Sequence, residues 1–342
     1  GATREQEEVE MKRTFNASSA CVLACACIAG TANAAVTVNS ATRYQQIDGF
    51  GSSCAWTTHN DEEMKLLWDT TTGAGFSLLR LRIDESTRDQ GLIKSTSNQN
   101  QIRMAKVALG YGLVVWAAPW GCQKDWQTVY GKNSKGGDQI KFNFDYATKW
   151  AAALAQYVKD MKAAGVPLYA LSAQNEPDGD NFNHFEAADL MKWIRDYLGP
   201  AMEGSPTKIM APETVGWFAF SSYKNAIFAD AKAKAYTHIF ATHEYNGSPK
   251  AYPDINEAGK RFWETEFYDV SVSSGDGGIA SGVWMAKRVH DCMVTANMNA
   301  YHFWWGHGTL GQGLFPDGSS VPTKRLWTMG NYARFVRPGF VR

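Results

Sequence analysis

Residues 168–178 read LYALSAQNEPD and carry the pattern that decides the fold. The stretch begins as a nearly continuous apolar run and ends in an amide, a carboxylate and a proline. Residues 113–120 form a second run of this kind, LVVWAAPW. Strands that helices cover on both faces are continuously apolar, whereas strands with one face in water alternate apolar and polar residues. Both stretches are therefore predicted to be buried parallel strands of an α/β protein.

Strand and helix patterns alternate along the chain on either side of these two stretches. The predicted strands are residues 46–53, 78–84, 113–120, 168–177, 208–214, 238–246, 261–268 and 300–308. The predicted helices are residues 61–69, 98–109, 144–164, 187–202, 221–235, 282–296 and 326–336. Between the sixth and seventh strands, Pro253 and Gly259 predict a loop over residues 252–260. A (β/α)8 TIM barrel over residues 46–342 is the simplest architecture with this order of elements.

The composition excludes several classes of protein. The 342 residues carry 34 Lys and Arg against 34 Asp and Glu, and 44% of them are hydrophobic, so the chain is neither disordered nor a collagen or coiled coil. The balanced charge lacks the basic patch of a nucleic-acid binder or of a protein that binds anionic membranes. We therefore expect a neutral partner. Aromatic residues reach 13%, which suits contact with sugar faces as well as core packing.

The N-terminal segment has the pattern of a secretory leader. Residues 11–34 begin with Met11 and two basic residues, continue in an apolar run over 17–30, and end in the small-residue site ANA at 32–34. This order predicts a signal peptide and a secreted protein, with residues 1–10 as upstream sequence foreign to the mature chain. The apolar run is shorter than the 20 or so residues that span a bilayer, so we expect no membrane anchor.

Three cysteines remain after the leader: Cys54, Cys122 and Cys292. Their odd number and wide spacing predict no disulfide framework and no zinc motif, although one bridge among them stays open. Residues 35–45 alternate like an exposed strand and are predicted to belong to a side β-sheet.

The candidate chemistry lies at the carboxyl ends of the predicted strands, where barrel enzymes place their reacting groups. Glu176 ends the fourth strand and Glu266 the seventh, so the two are expected to face each other across the barrel mouth. Glycoside hydrolysis requires such a carboxyl pair. The alternative is that each Glu forms a structural ion pair with an arginine. Glu264 shares a face with Glu266 one layer deeper and is predicted to be structural, with Arg80 or Arg82 neutralising whichever Glu lies deeper.

At these residues the sequence resembles glycoside hydrolase family 30, in the clan of retaining barrel glycosidases, and most closely the bacterial endo-xylanase branch. The resemblance is carried by QIDGFG at 46–51, FSLLRLRID at 76–84, LYALSAQNEPD at 168–178, FWETEFY at 262–268 and FVRPGFVR at 335–342. It implies a retaining mechanism with Glu176 as acid/base and Glu266 as nucleophile, and it implies no cofactor and no metal.

The resemblance also implies a set of substrate-binding residues. They are Asn175, Tyr245, Trp120, Trp304, Trp305, Trp56, Arg80, His243 and Tyr268. Among them Asn175 would bond the sugar 2-hydroxyl, and Tyr245 and Arg80 would orient and ionise the nucleophile. The tryptophans are expected to contact sugar, with ordinary packing as the alternative. His243 is expected to be a hydrogen-bonding residue at the rim, and Glu213 either lines the cleft or lies on the solvated rim.

The expected function is hydrolysis of internal β-1,4-xylosidic bonds in xylan by a monomer. The loop after the eighth strand, residues 306–314, contains neither Arg nor Lys, so it lacks a guanidinium to bind a glucuronic acid side group. We therefore expect cleavage that does not depend on that group. Another β-glycan, such as β-1,6-glucan or galactan, and a non-catalytic carbohydrate-binding barrel remain alternatives. The resemblance further implies a β-sandwich side domain, most of which is expected to be missing after residue 342.

Overall fold

The structure, a computed structural model, describes residues 39–86, 91–180, 182–268, 277–308 and 313–342. The chain divides into two units, Gly1–Arg43 and Tyr44–Arg342. In the first unit the described residues, 39–43, contain a turn. The predicted signal peptide and the segment before it lie outside the described residues.

Parallel strands close into a barrel in the second unit. The strands of the described residues are β1 (Gly49–Ser53), β2 (Leu78–Ile83), β3 (Val114–Pro119), β4 (Gln127–Lys132), β5 (Asp138–Phe142), β6 (Ala170–Ser172), β7 (Lys208–Thr214), β8 (Thr237–Thr242), β9 (Arg261–Glu264), β10 (Ala300–Trp305), β11 (His307–Gly308) and β12 (Phe315–Pro316). Eight of them form the closed barrel, in the order β1, β2, β3, β6, β7, β8, β9 and β10, and β10 pairs with β1 from Gly49 opposite Ala300. The predicted (β/α)8 barrel is confirmed, and each predicted strand overlaps one barrel strand.

Helices connect the strands on the outside. They are α1 (Asp61–Trp68), α2 (Thr96–Gly110), α3 (Ala147–Ala163), α4 (Ala187–Trp193), α5 (Gly199–Ala201), α6 (Trp217–Ala229), α7 (Ala231–Tyr236), α8 (Pro253–Glu257), α9 (Ile279–His290) and α10 (Lys324–Ala333). Helix α1 begins with a capping box, since Asn60 accepts a bond from Glu63 N and the Glu63 side chain accepts one from Asn60 N. No helix within the described ranges has the length and apolarity to cross a bilayer.

The barrel interior is filled by a few large side chains and many small ones. Trp116 and Trp263 meet edge to face at 6.3 Å between ring centroids. Small neighbours make room for them, namely Ala118, Ala170, Ala241 and Ala300. A second apolar cluster packs the outer faces of the strands against the helices. The strands are thus buried on both faces, which accounts for their continuous apolar sequences.

Two local predictions differ from the structure, and one element was not predicted. The expected loop at 252–260 contains the short helix α8, because Pro253 occupies its first turn, where the missing N–H costs no bond. The sequence reading did not predict the antiparallel hairpin β4–β5. A strand was expected at residues 35–45. Residues 35–38 lie outside the described part of the chain, and residues 39–45 are not in a strand. Next to them, Gln46 forms an isolated bridge with Val341, which does not extend into a ladder.

Candidate active site

Glu176 and Glu266 come together at the mouth of the barrel. Glu176 follows β6, Glu266 follows β9, and His243 follows β8. One oxygen from each carboxylate and one nitrogen of His243 lie within 4.8 Å of one another. The chain has left the strand ladder before it reaches either Glu, so the barrel strands are shorter than predicted and both carboxylates project from the segments that follow them.

The backbone at the site is held in an uncommon conformation. Glu176 has φ 49° and Glu213 has φ 61°, both in the left-handed region. Glu176 N donates to Glu213 O at 2.9 Å, so the two turns support each other. A non-glycine residue in this region costs on the order of 1–3 kcal/mol and persists where the surrounding structure enforces it. Such strain concentrates at functional sites, and here it aims Glu176, after β6, and Glu213, near the end of β7, toward the mouth.

Glu266 is held at both oxygens. Tyr245 donates its hydroxyl to Glu266 Oε1 at 2.8 Å, and the buried guanidinium of Arg80, on β2, donates to Oε2. Arg80 also donates to Asn175 Oδ1 and, at 2.8 Å, to Glu213 Oε1. Burial raises the pKa of Glu266 above its ordinary value, and the positive charges of His243 and Arg80 oppose that rise.

His243 lies at the centre of the cluster and is fully buried. Its Nδ1 is 3.1 Å from Glu176 Oε1, and its Nε2 is 3.6 Å from Glu213 and 3.8 Å from Glu266. Burial alone would lower the pKa of His243, but the Glu266 charge and the bonds to Glu176 and Glu213 outweigh it and raise the pKa to about 10. The rim position expected for His243 is therefore wrong. The backbone N–H of His243 donates to Thr214 O at 2.8 Å. This bond holds the residue in the barrel wall.

Glu264 has a different role from its neighbour two residues on. Its Oε1 accepts the backbone N–H of Glu266 and its Oε2 accepts that of His302, both at 2.9 Å. It therefore holds the backbone that presents Glu266. Neither predicted arginine neutralises it, which corrects that expectation: Arg80 pairs with Glu213 and Glu266, and Arg82 pairs with Asp84 and Glu85. Burial, with the nearby charge of Glu244, raises the pKa of Glu264 well above its ordinary value.

Three tryptophans form one side of the mouth. The ring centroids of Trp56 and Trp120 are 5.3 Å apart, those of Trp120 and Trp304 5.7 Å, and those of Trp56 and Trp304 6.0 Å. The guanidinium of Arg80 lies 4.4 Å from the Trp120 ring, which joins this group to Glu266. Trp56 is half exposed, while Trp120 and Trp304 are buried. The group thus offers one ring to solvent beside the carboxylates.

The remaining predicted residues lie around this group. Trp305 stacks on Trp304 at 5.9 Å and donates its indole N–H to Ala55 O at 2.8 Å, so it supports the wall from behind. Tyr268 is partly buried and meets Tyr245 edge to face at 5.7 Å. The structure therefore brings all the predicted site residues to one end of the barrel.

Comparison with solved structures places this geometry in a family. The chain superposes on a family 30 endoxylanase from Clostridium papyrosolvens C71 with a TM-score of 0.78 and 32% sequence identity, covering 89% of this chain and 76% of that one. The chain belongs to glycoside hydrolase family 30. A family 30 subfamily 8 xylanase, Xyn30A, from Clostridium acetobutylicum is similar at TM-score 0.77 and 29% identity, with the same coverages.

A curated relative is also similar in sequence. The glucuronoxylanase XynC of Bacillus subtilis (strain 168) is 28% identical over 321 residues, which cover 90% of this chain and 71% of that protein. No family model matches the chain.

Sequence reasoning missed part of the site of this family 30 protein. It left Glu213 undecided between cleft and solvated rim, whereas Glu213 is fully buried and paired with Arg80. Burial raises the pKa of Glu213, but the charges of Arg80 and His243 outweigh it, and the pKa falls below its ordinary value. The sequence signal that could have placed Glu213 in the site is its position at the end of a predicted strand, which it shares with Glu176.

The β4–β5 hairpin adds a polar cleft beside Glu176 that was not predicted. Its turn residues Asn133, Ser134 and Lys135 line a cavity of about 460 Å³, together with Asp178, Gly179, Asp180, Val215 and Asn246. The available signal was the β-favouring run Thr128-Val129-Tyr130 before a turn that contains Asn and Gly.

The donor set of Glu176, His243 and Glu266 could in principle hold a metal ion, so its fit matters. Both oxygens of Glu266 already accept hydrogen bonds, from Tyr245 and from Arg80. The guanidinium charge beside them opposes a second cation. The arrangement therefore suits proton transfer and nucleophilic attack by carboxylates better than it suits metal binding.

Proposed function

We propose that the protein is a secreted, retaining endo-glycosidase that hydrolyses internal β-1,4-xylosidic bonds of xylan without requiring glucuronic acid side groups. The observation that carries this proposal is the approach of Glu176 and Glu266 to within 4.8 Å at the barrel mouth. Two solved relatives named as xylanases support the polysaccharide. The leader pattern at residues 11–34 supports secretion.

The separation of the carboxyls favours retention. Retaining glycosidases hold their two carboxyls about 5–5.5 Å apart, whereas inverting enzymes leave about 6.5–9.5 Å for a water between them. In the first step Glu266 attacks the anomeric carbon while Glu176 gives its proton to the departing glycosidic oxygen. In the second step Glu176 takes a proton from water, the water oxygen attacks the same carbon, and the Glu266 carboxylate leaves.

The residues around Glu266 support its assignment as nucleophile. Arg80 and Tyr245 bind its two oxygens, which favours the ionised form and fixes its orientation. Glu176 is free of Arg80 and, with its side chain 18% exposed, opens to the cleft from which water and the leaving group come and go. This difference in surroundings matches the different tasks of a nucleophile and an acid/base.

Asn175 is placed to bind substrate directly. Its Oδ1 accepts from Arg80, which leaves the Nδ2 amide group buried and without a hydrogen-bond partner among the described residues. A buried donor without a partner costs about 1–3 kcal/mol, and a sugar hydroxyl would relieve that cost. This free donor supports the role in which Asn175 binds the hydroxyl next to the reacting carbon.

Independence from glucuronic acid rests on the loop after β10. Residues 306–314 contain no Arg or Lys, so a bidentate bond from that loop to a substrate carboxylate is excluded. The relative XynC carries the name glucuronoxylanase, so the point requires a direct test. Lys135, in the cleft beside Glu176, is another cation that a substrate carboxylate could reach.

The substrate test measures new reducing ends released from unsubstituted xylan, arabinoxylan, glucuronoxylan, β-1,4-glucan, β-1,6-glucan and galactan. We expect release from all three xylans at similar rates, and none from Glu266→Gln or Glu176→Gln, which serve as matched controls. Reducing ends released only from a glucan or from galactan would show that the substrate is that polysaccharide and not xylan. Release from none of them would favour a carbohydrate-binding barrel, and glucuronoxylan products cut at a fixed distance from each uronate would overturn the independence from that group.

The roles of the two carboxyls are separated by chemical rescue. Glu266→Ala should regain turnover with azide and give a product of inverted configuration, because the small anion enters the vacated face. Glu176→Ala should retain activity on aryl glycosides whose leaving groups need no proton. The reverse pattern of rescue would exchange the two assignments.

A further inference from the structure

A second group of chemically active side chains lies where the start of α1 meets the loop after β10. Glu63 lies in the first turn of α1, His59 directly precedes the cap residue of that helix, and His307 begins β11, after β10. One donor atom from each lies within 4.8 Å of the other two. His59 and Glu63 are buried and His307 is partly buried. The proposed hydrolysis makes no use of these residues.

Two of the three distances between donor atoms are close to those in a metal site, and the third, between the two histidine nitrogens, is below 4.8 Å. Glu63 Oε2 lies 3.3 Å from His59 Nδ1 and 3.0 Å from His307 Nε2. In a tetrahedral zinc site with bonds of about 2.0–2.1 Å, neighbouring ligand atoms are about 3.3 Å apart. The two imidazoles stack with centroids 5.2 Å apart, so both present a nitrogen to the same oxygen. Glu63 Oε2 also accepts the backbone N–H of Asn60 at 3.1 Å, and a carboxylate oxygen has a second lone pair with which it can bind the metal.

The chemistry of the donors also fits zinc. Two imidazoles and one carboxylate form a known zinc donor set, which leaves a fourth position for water. Ser320 donates its hydroxyl to Glu63 Oε1 at 2.6 Å and so holds the carboxylate in place from outside the site. His59 Nε2 is buried and has no hydrogen-bond partner in the described part of the chain. It can carry the imidazole proton when Nδ1 gives its lone pair to the metal.

We propose that His59 Nδ1, Glu63 Oε2 and His307 Nε2 bind one Zn²⁺ ion that fastens the loop after β10 to the first helix. Gly306 follows Trp305 directly and rests on the His59 ring, since a Cβ there would lie 2.2 Å from the ring atoms. The bound ion therefore holds the end of the strand that carries Trp304 and Trp305. Its effect is on the stability of the fold and of the loop, separate from the bond-breaking chemistry.

The test uses the whole protein after treatment with EDTA, titrated with zinc chloride in a calorimeter. We expect one equivalent to bind and the thermal unfolding midpoint to rise with zinc concentration, because a ligand that binds the folded state stabilises it. His307→Gln should weaken binding by more than the roughly 10–100-fold that loss of an outer partner costs. His290→Gln, an exposed histidine of α9, should bind as the wild type does.

Two further variants make the assignment specific. His59→Gln should also lose the site, whereas Glu266→Gln, which removes a donor from the other cluster, should keep it. Co²⁺ bound to the wild type should show the visible absorption of a tetrahedral site. No zinc binding to the wild type, equal binding to His307→Gln and His59→Gln, or loss of binding in Glu266→Gln alone would each overturn the proposal.

Discussion

Replacing His243 with glutamine removes a cation from among three carboxylates, two of them buried, and the cost should depend on pH. The imidazole lies 3.1 Å from Glu176, 3.6 Å from Glu213 and 3.8 Å from Glu266. Burial lowers the pKa of His243, but these carboxylates outweigh it and raise the pKa from 6.5 to about 10. The folded protein therefore holds a proton on His243 at pH values where the unfolded chain has released it.

Because the pKa of His243 differs between the folded and unfolded states, its contribution to the free energy of unfolding depends on pH. Below pH 6.5 both states hold the proton and the stabilisation by His243 is complete; from there to about pH 10 it is lost as pH rises. The loss is about 1.4 kcal/mol per pH unit, or roughly 5 kcal/mol over the whole window. That size agrees with the cost of about 3–5 kcal/mol for removing one partner of a buried ion pair. Glutamine keeps a hydrogen-bond donor, so the change removes mainly the charge.

Urea unfolding of the wild type and His243→Gln between about pH 7 and pH 9 measures this slope. We expect the wild type to be the more stable, with its advantage shrinking by about 1.4 kcal/mol for each unit of rising pH. His290→Gln, at an exposed position, is the matched control and should show no pH-dependent difference. A difference between wild type and His243→Gln that stays constant or grows with pH would refute the reasoning, because the imidazole would then be neutral in the folded state.

Further changes test other contacts of the site. Tyr245→Phe removes the 2.8 Å hydrogen bond to Glu266. Because hydrogen bonds to charged groups contribute about 1.5–3 kcal/mol, kcat on xylan should fall by about 10–150-fold. An unchanged kcat would show that this bond does not contribute to catalysis. Glu264→Gln leaves one backbone N–H, of Glu266 or of His302, without an acceptor. The free energy of unfolding measured in urea should therefore fall by about 1–3 kcal/mol. A greater loss of kcat than in Glu266→Gln would assign the role of nucleophile to Glu264. Trp56→Ala should raise KM for polymeric xylan several-fold without moving the thermal midpoint, because its ring is half exposed; an unchanged KM would assign Trp56 to packing alone.

The barrel was predictable from sequence because its signal is repeated. Each strand is a short apolar run that must be covered on both faces, and eight such runs alternate with helical patterns. The β4–β5 hairpin carries no such signal. Its strands leave Val129 and Tyr130 exposed, so burial does not impose a clear pattern on the sequence.

Depth below the mouth was the property that sequence reasoning could not supply. Alternation along a strand gives the face of a residue only within the ladder. Trp263 packs inside the barrel and Phe262 against the helices. The shared face predicted for Glu264 and Glu266 therefore does not follow from the ladder, which ends at Glu264. Alternation does not show where the chain leaves the ladder. His243 follows β8 and was therefore expected at the rim, yet its bond to Thr214 O keeps it inside the wall. Glu213 was left undecided for the same reason, because burial at a strand end depends on the neighbours across the barrel.

The charges of the cluster explain why one carboxyl differs from the others. Arg80 and protonated His243 supply two positive charges against three carboxylates, those of Glu176, Glu213 and Glu266. Arg80 binds Glu213 and Glu266 directly, whereas Glu176 has its hydrogen bond to His243 among the described residues and a side chain 18% exposed against 6% for Glu266. Glu176 is therefore the carboxyl of the three with the best access to water and to a leaving oxygen. A proton that comes and goes at Glu176 alters the balance of the cluster without breaking the bonds that hold Glu266, which is the division of tasks that retaining hydrolysis requires.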